Sequence, residues 1–354
     1  MDRAVNKIRE WIEENRADAV LITSEANRYY LSGFTGSTGM VLITKNSQFV
    51  LSDFRYRQQV REECTDLTFL MTDSQHSVSD HFKDLGIRIV GIEENKVSYR
   101  QAVELMNHHE KIKLVPLKNL IEKLRSIKTK DEIEKIEKAA ALSDVGWEYI
   151  KQHLHPGKKE KDLALDLEIF LRRNGAENIS FPVILASGHR SALPHGVASD
   201  KIIEDGDLIT VDFGSIVNRY CSDMTRTLVA GQANDKQKEI YHVVLEAQTK
   251  ALEAVKPGVS GKELDDIARN IITKAGYGEA FGHGLGHGVG LEVHELPQVS
   301  QKGITRLTPG MVITIEPGIY LPGVGGVRIE DLVLVTNEGY QVLSQSCKKL
   351  QEVG

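Results

Sequence analysis

Asp205-Gly206-Asp207-Leu208-Ile209-Thr210-Val211-Asp212-Phe213-Gly214 and, 104 positions later, Pro309-Gly310-Met311-Val312-Ile313-Thr314-Ile315-Glu316-Pro317-Gly318 are two versions of one design. Each opens on a turn containing glycine, runs through a short apolar stretch of buried-strand type, and reaches a carboxylate. A second repeat lies upstream of each. Pro156-Gly157, Lys161-Asp162-Leu163, Phe170-Leu171 and Gly175 recur as Pro257-Gly258, Lys262-Glu263-Leu264, Ile271-Ile272 and Gly276, displaced by 101 positions. Both copies read as a turn, a helix and a glycine stop. A duplicated helix-plus-strand unit predicts a pseudo-twofold domain, with helices covering a curved antiparallel sheet and the two halves facing one cleft. Asp212 and Glu316 would then be related by the pseudo-axis.

Upstream of the repeat the pattern changes to alternating helices and strands, the mark of an α/β layer. Ala4, Ile8, Trp11 and Ile12 share one face of a helix over 4–16, and Ala19–Thr23 reads as a strand. Met40–Thr44 and Gln48–Leu51 form a hairpin around Lys45-Asn46-Ser47. Ile87–Ile92 and Lys113–Pro116 supply further strands on either side of a helix near 98–111. The layer ends near residue 120, and the capping-box pair Thr129 and Glu132 starts a long helix at about residue 130. Two domains are expected, 1–122 and 123–354, each large enough to bury its own core. Only Lys348 to Gly354 follow the last strand-like run.

Composition excludes several partners. A net charge of −6 with no basic cluster offers no footprint for nucleic acid or an anionic membrane. No apolar run is long enough to span a bilayer and no signal-peptide core follows the N-terminus, so a cytoplasmic location is expected. Cys64, Cys221 and Cys347 are odd in number and far apart, with no Cys-x-x-Cys pair, which suggests neither disulfides nor a thiolate zinc site.

The chemistry lies with the carboxylates. An acid at the end of a buried strand must be paired, protonated or bound to a cation. Each copy supplies a second acid: Asp223 in Tyr220-Cys221-Ser222-Asp223-Met224-Thr225-Arg226-Thr227, and Glu330 in Gly326-Val327-Arg328-Ile329-Glu330-Asp331. Four converging acids repel one another unless cations sit between them, and an oxygen-rich set with one imidazole suits Mn²⁺, Co²⁺ or Zn²⁺. Gly282-His283-Gly284-Leu285-Gly286-His287-Gly288-Val289-Gly290-Leu291-Glu292-Val293-His294-Glu295 offers imidazoles where glycines let backbone and ligand approach closely. Plain ion pairing competes with this reading: Asp223 with Arg226, and Glu330 with Arg328. The glycine-rich run is not a phosphate loop, because the Gly-Lys-Ser/Thr ending is missing.

These residues resemble the pita-bread metallopeptidases, the family of methionine aminopeptidase, aminopeptidase P and prolidase, with the metal-free enzyme creatinase as a relative. The resemblance covers essentially the whole chain. Asp212 and Asp223, eleven apart, match the family's paired aspartates; Glu316 stands in its Glu-Pro-Gly motif and Glu330 in its Arg-Ile-Glu-Asp motif. His287 fits the metal histidine seven positions before a catalytic histidine, here His294, and His195 in Leu193-Pro194-His195-Gly196 matches a further active-site histidine. Ala186 to Gly196 is most similar to the short prokaryotic prolidases, and Tyr30-Leu31-Ser32-Gly33-Phe34-Thr35-Gly36-Ser37 to the creatinase-type N-terminal domain.

The resemblance implies a creatinase-like α/β domain followed by a pita-bread α+β domain. It further implies two divalent ions per chain, Mn²⁺ foremost, on Asp212, Asp223, His287, Glu316 and Glu330. Glu316 would act as general base, His294 would stabilise the oxyanion, and His195 would orient the carbonyl or the leaving nitrogen. His283 could in principle replace His287 as ligand, or contact substrate. Arg328 could pair with the proline carboxylate or simply hold Glu330. His189 reads as an exposed loop residue. The implied substrate is a small proline-containing peptide and the implied assembly a homodimer. Prolidase and aminopeptidase P share all these residues; methionine aminopeptidase generally lacks the N-terminal domain, and a creatinase or a binding module would not need the full ligand set.

Overall fold

The computed structural model describes residues 2–107 and 111–354, which divide into two compact units, Met1–Arg125 and Ser126–Gly354. In the first, six strands lie in the order Thr68–Met71, Gln48–Ser52, Met40–Thr44, Ala19–Ile22, Ile89–Ile92 and Lys113–Pro116. The hairpin and the pair Ala19–Ile22 with Met40–Thr44 are antiparallel, and the other three pairings are parallel. Strict alternation divides the central strand between two cores: Val20 and Ile22 join Ile8, Ile12 and Phe34, while Ala19 and Leu21 join Leu42, Phe82 and Val90. The strand expected from Ile87 begins at Ile89, and the helix expected near 98–111 is observed as Tyr99–Asn107, its expected end overlapping 108–110, outside the described residues.

The second unit shows the duplication directly. Helices Lys130–His153 and Glu160–Arg173 belong to the first half, Asp235–Glu253 and Gly261–Lys274 to the second. Thr129 and Glu132 form the capping box that starts the long helix. Leu163, Leu167 and Leu171 fill one core and Leu264, Ala268 and Ile272 the other, each pair 101 positions apart. The turns match as well: Gly206 and Gly310 take left-handed φ values of 84° and 90°, which a side chain would resist. Backbone hydrogen bonds repeat too, from Gly157 N to Ile203 O and from Gly258 N to Leu307 O.

The sheet of this unit is hydrogen-bonded in pieces. Leu208–Phe213 lies between Ile184–Ser187 and Met224–Ala230; Val312–Ile315 lies between Gly286–Gly288 and Asp331–Val335. All pairings are antiparallel except one, where Glu352–Val353 runs parallel to Val229 and Ala230, so the tail after Lys348 contains a strand that the sequence pattern did not show. The halves are joined where Thr227 Oγ1 donates to Arg328 O at 2.9 Å and Glu330 N donates to Thr225 O at 3.1 Å. That seam brings the second acid of each half together.

Candidate metal centre

Asp212 lies one residue before the end of its strand and Glu316 one residue beyond its own, while Asp223 and Glu330 lead into Met224–Ala230 and Asp331–Val335. Alternation then sorts the neighbours: Thr225 and Thr227 face the seam with Arg328, while Met224 and Leu228 enter a core. His287 sits in the short strand Gly286–Gly288. One ligand atom each of Asp223, His287 and Glu330 lies within 4.8 Å of the others. His287 Nε2 is 3.3 Å from Glu316 Oε1 and 3.5 Å from Asp223 Oδ2. These residues and Asp212, His195, His283, His294 and Arg328 all line one cavity of about 400 Å³, and Phe181, Pro182, Ile184 and Val197 add apolar wall.

The electrostatics are those of an anion cluster short of positive charge. Burial and the neighbouring Glu330, Asp212 and Glu316 push the Asp223 carboxyl well above the carboxylate range, and burial with Glu316 and Asp212 does the same to Glu330. Glu316 differs: although burial opposes its charge, the hydrogen bond and charge of His287 hold it down to about 2. Asp212 Oδ1 and Glu330 Oε1 are buried and have no hydrogen-bond partner among the described residues. Such oxygens are costly unless a cation takes them. The donor set therefore fits hard or borderline divalent ions, to which Asp212, Asp223, His287, Glu316 and Glu330 would offer carboxylate oxygens and one imidazole nitrogen.

The ion pairs weighed against this reading are not the ones observed. Arg226 pairs with Asp331 at 2.8 Å and not with Asp223; Arg328 pairs with Asp212 at 2.6 Å and not with Glu330. The reason is side-chain alternation: Arg226 points to the face opposite Asp223's neighbour Thr225, while Arg328 crosses the seam. Arg328 also donates from Nε to Thr225 Oγ1 and from Nη1 to Pro194 O and Tyr320 Oη, so four of its five N–H groups are engaged.

His283 is also engaged at both nitrogens. Gly284 O can only accept, so Nδ1 carries the proton at 2.8 Å, and burial keeps the ring's pKa below the usual histidine value. Nε2 then accepts from Tyr320 Oη at 2.8 Å, completing a chain from Arg328 through Tyr320 to His283. Arg269 braces the same segment, pairing with Asp265 at 2.7 Å and donating to Phe281 O and His283 O. His195 and His294 are exposed and face the cavity, and the latter is held below the histidine norm by partial burial and by His287. His189 is exposed, on a short 3₁₀ turn, and does not line the cavity.

Sequence reasoning missed Tyr320, Thr225, Asp265 and Arg269. Thr225 and Tyr320 each stand at a fixed distance from a singled-out acid, two after Asp223 and four after Glu316, which is the trace they leave in the chain.

Two family descriptions match: Creatinase/Prolidase N-terminal domain over residues 5–127 and Metallopeptidase family M24 over residues 134–337. The Xaa-Pro dipeptidase of Pyrococcus horikoshii is 46% identical over 352 residues, which is 99% of this chain and 99% of that protein. The solved Xaa-Pro dipeptidase from Bacillus anthracis superposes with a TM-score of 0.95 at 42% identity, covering 99% of each chain. An X-Pro aminopeptidase from Thermotoga maritima superposes with a TM-score of 0.88 at 39% identity, covering 96% of this chain and 98% of that one. With its creatinase-type N-terminal domain, its duplicated pita-bread domain and a buried cluster of carboxylates around one imidazole, the chain belongs to metallopeptidase family M24.

Proposed function

We propose that this chain hydrolyses the peptide bond preceding proline, with Xaa-Pro dipeptides as preferred substrates, and that Asp212, Asp223, His287, Glu316 and Glu330 hold two divalent ions, Mn²⁺ foremost and Co²⁺ or Zn²⁺ as alternatives. The observation that carries the reading is the convergence of Asp212, Asp223, Glu316 and Glu330 with His287 on one cavity, with Asp212 Oδ1 and Glu330 Oε1 lacking partners among the described residues. The dipeptidase preference is supported by the relatives so named, which align over nearly the whole chain. Phe181, Ile184 and Val197 offer apolar wall against which a prolyl ring can pack.

Divalent ions in this site would supply water activation and polarisation of the scissile carbonyl. Glu316, whose Oε1 lies 3.3 Å from His287 Nε2, accepts the proton of the attacking water. His294 is neutral near pH 7 and can donate an N–H to the oxyanion as it develops. His195, on the cavity wall, orients the carbonyl or the leaving imino nitrogen. Arg328 acts on Asp212, fixing one carboxylate oxygen so that the other faces the cluster. Proline's nitrogen has no hydrogen to donate, so selection rests on fitting the ring rather than on an N–H contact. The reading divides the chain near residue 122, with every catalytic group in the second part.

One observation favours a second reading. Arg328 has a single N–H group left and both nitrogens of His283 are engaged, so neither stands ready for a proline carboxylate. An aminopeptidase P, which removes the residue before proline from longer peptides, needs no such contact. Rates of metal-loaded enzyme on Xaa-Pro, Xaa-Pro-Yaa and Xaa-Ala separate the two. The dipeptide should be cut at least roughly tenfold more efficiently than the tripeptide, about 1.4 kcal/mol of discrimination, and Xaa-Ala should also be slow. Tripeptides cut as well as dipeptides would establish the aminopeptidase. The same reading makes the enzyme a cytoplasmic homodimer, and a sedimentation mass equal to one 39.4 kDa chain would refute the dimer.

A further inference from the structure

Glu160 is the first residue of the helix Glu160–Arg173, is 0% exposed, and does not line the cavity. Its carboxylate nevertheless gathers five hydrogen bonds. Oε1 accepts from Ser187 N at 2.8 Å and Ser187 Oγ at 2.9 Å. Oε2 accepts from Arg190 Nε at 3.0 Å, Ser199 N at 3.0 Å and Ser199 Oγ at 2.7 Å. Burial works against this charge, but the bonds from Ser199 and Ser187 hold its carboxyl below the usual range. Ser187 and Ser199 are the two ends of one segment, and His195 lies between them. Arg190 donates in addition to Val197 O at 2.7 Å, and Arg328 to Pro194 O at 3.1 Å, so the residues on either side of His195 are tied down too.

The duplication supplies a control within the same molecule. Glu160 N donates to Lys201 O and Lys161 N to Ser199 O; in the other half Gly261 N donates to Thr305 O and Lys262 N to Gly303 O. The backbone frame is thus the same, yet the position of Glu160 is held by Gly261, where an added Cβ would lie 2.2 Å from Gln298 O. One copy lets the backbone close in on the helix start, and the other fills that space with a carboxylate that grips a segment. The frame alone does not call for a buried charge, and a buried ion pair is weak evidence of a purely stabilising role. What distinguishes the first copy is the histidine segment the carboxylate spans.

We propose that Glu160 is a positioning residue for the hydrolytic reaction, clamping the segment from Ser187 to Ser199 so that His195 is presented to the cavity in one orientation. This rests on the reading that His195 acts on substrate. The test is a double-mutant cycle on metal-loaded enzyme with an Xaa-Pro dipeptide, metal content being measured for each variant. E160Q should keep its metal and lower kcat/KM roughly tenfold to a hundredfold, the scale of a misplaced catalytic group. In the His195→Ala background the same change should cost less than about twofold, because the residue acts only through His195. A general loss of packing would multiply with His195→Ala instead. If E160Q does not fold, S187A combined with S199A, which leaves the carboxylate paired with Arg190, takes its place in the cycle with the same expectations. If His195→Ala leaves turnover intact, the role assigned to His195 falls and the proposal with it. If His195→Ala is slow but the clamp variant is not, or if the two losses multiply, the Glu160 proposal alone falls.

Discussion

His287 and His294 are seven residues apart and their rings stand 4.3 Å apart, yet the two have opposite surroundings. His287 is drawn toward its charged form by Glu316 despite burial, whereas His294 is pushed toward neutrality by burial and by His287 itself. His287 belongs to the carboxylate cluster and His294 lies on the cavity wall, so removing them should have different consequences. His287→Ala should lose bound metal together with rate, since it removes a donor from the cluster. His294→Ala should retain metal and lose rate by on the order of 10²–10³-fold, the usual result of deleting one transition-state donor. Metal analysis beside steady-state kinetics reads both, and depletion in His294→Ala or in His283→Ala instead would overturn the assignment. Glu316→Ala, which removes the proposed base and a proposed ligand together, should fall to background turnover with its circular dichroism unchanged.

At the scale of the element, the helix Glu160–Arg173 contributes stability that depends on pH in a known direction. Its Glu160 carboxyl is held below the ordinary range, so the folded protein binds that proton more weakly than the unfolded chain does. The contribution is complete above the unfolded carboxyl's pKa and is lost as pH falls through the lower folded value. Urea titrations of wild type and E160Q should show a gap on the order of 2–4 kcal/mol that is constant from about pH 6 to 8 and narrows in acid below about pH 4. A gap that widens in acid would mean that the carboxylate is not the charged partner of Arg190. Lys128 and Glu295, both with buried side chains, pair at 3.2 Å next to His294 in the other half, so that histidine segment carries an ionic tie as well.

For the whole molecule, the cluster of acids sets the price of folding without metal. Asp212, Asp223, Glu316 and Glu330 come from both halves, and their mutual repulsion opposes the seam that unites those halves. Exhaustive chelation should abolish hydrolysis and also lower the thermal midpoint, and Mn²⁺ or Co²⁺ should restore both. Bound ions stabilise by mass action, about 2.7 kcal/mol at a hundredfold excess over Kd. Calorimetry of chelated and reloaded protein checks this, and an unchanged midpoint with metal verified as absent would show that the ions do not bridge the halves.

Local patterns in the chain reveal the α/β opening region, the duplicated unit, and the gathering of acids with histidines. These features have short-range signatures: a short, wholly apolar run at Ala19–Ile22, the Thr129 and Glu132 cap, matched turns at Gly206 and Gly310, and carboxylates in strands too apolar to bury them unpaired. Tertiary structure alone decided the partners. Arg328 reaches Asp212, which is 116 residues away, and Arg226 reaches Asp331, 105 residues away, although each has a nearer acid in sequence. Tyr320 joins Arg328 to His283, Glu352–Val353 adds a strand, and Glu160 clamps a segment that begins 27 residues later. The physical reason is that a hydrogen bond or ion pair depends on distance and direction in the folded chain, and the seam between the two halves brings together groups that no local pattern relates.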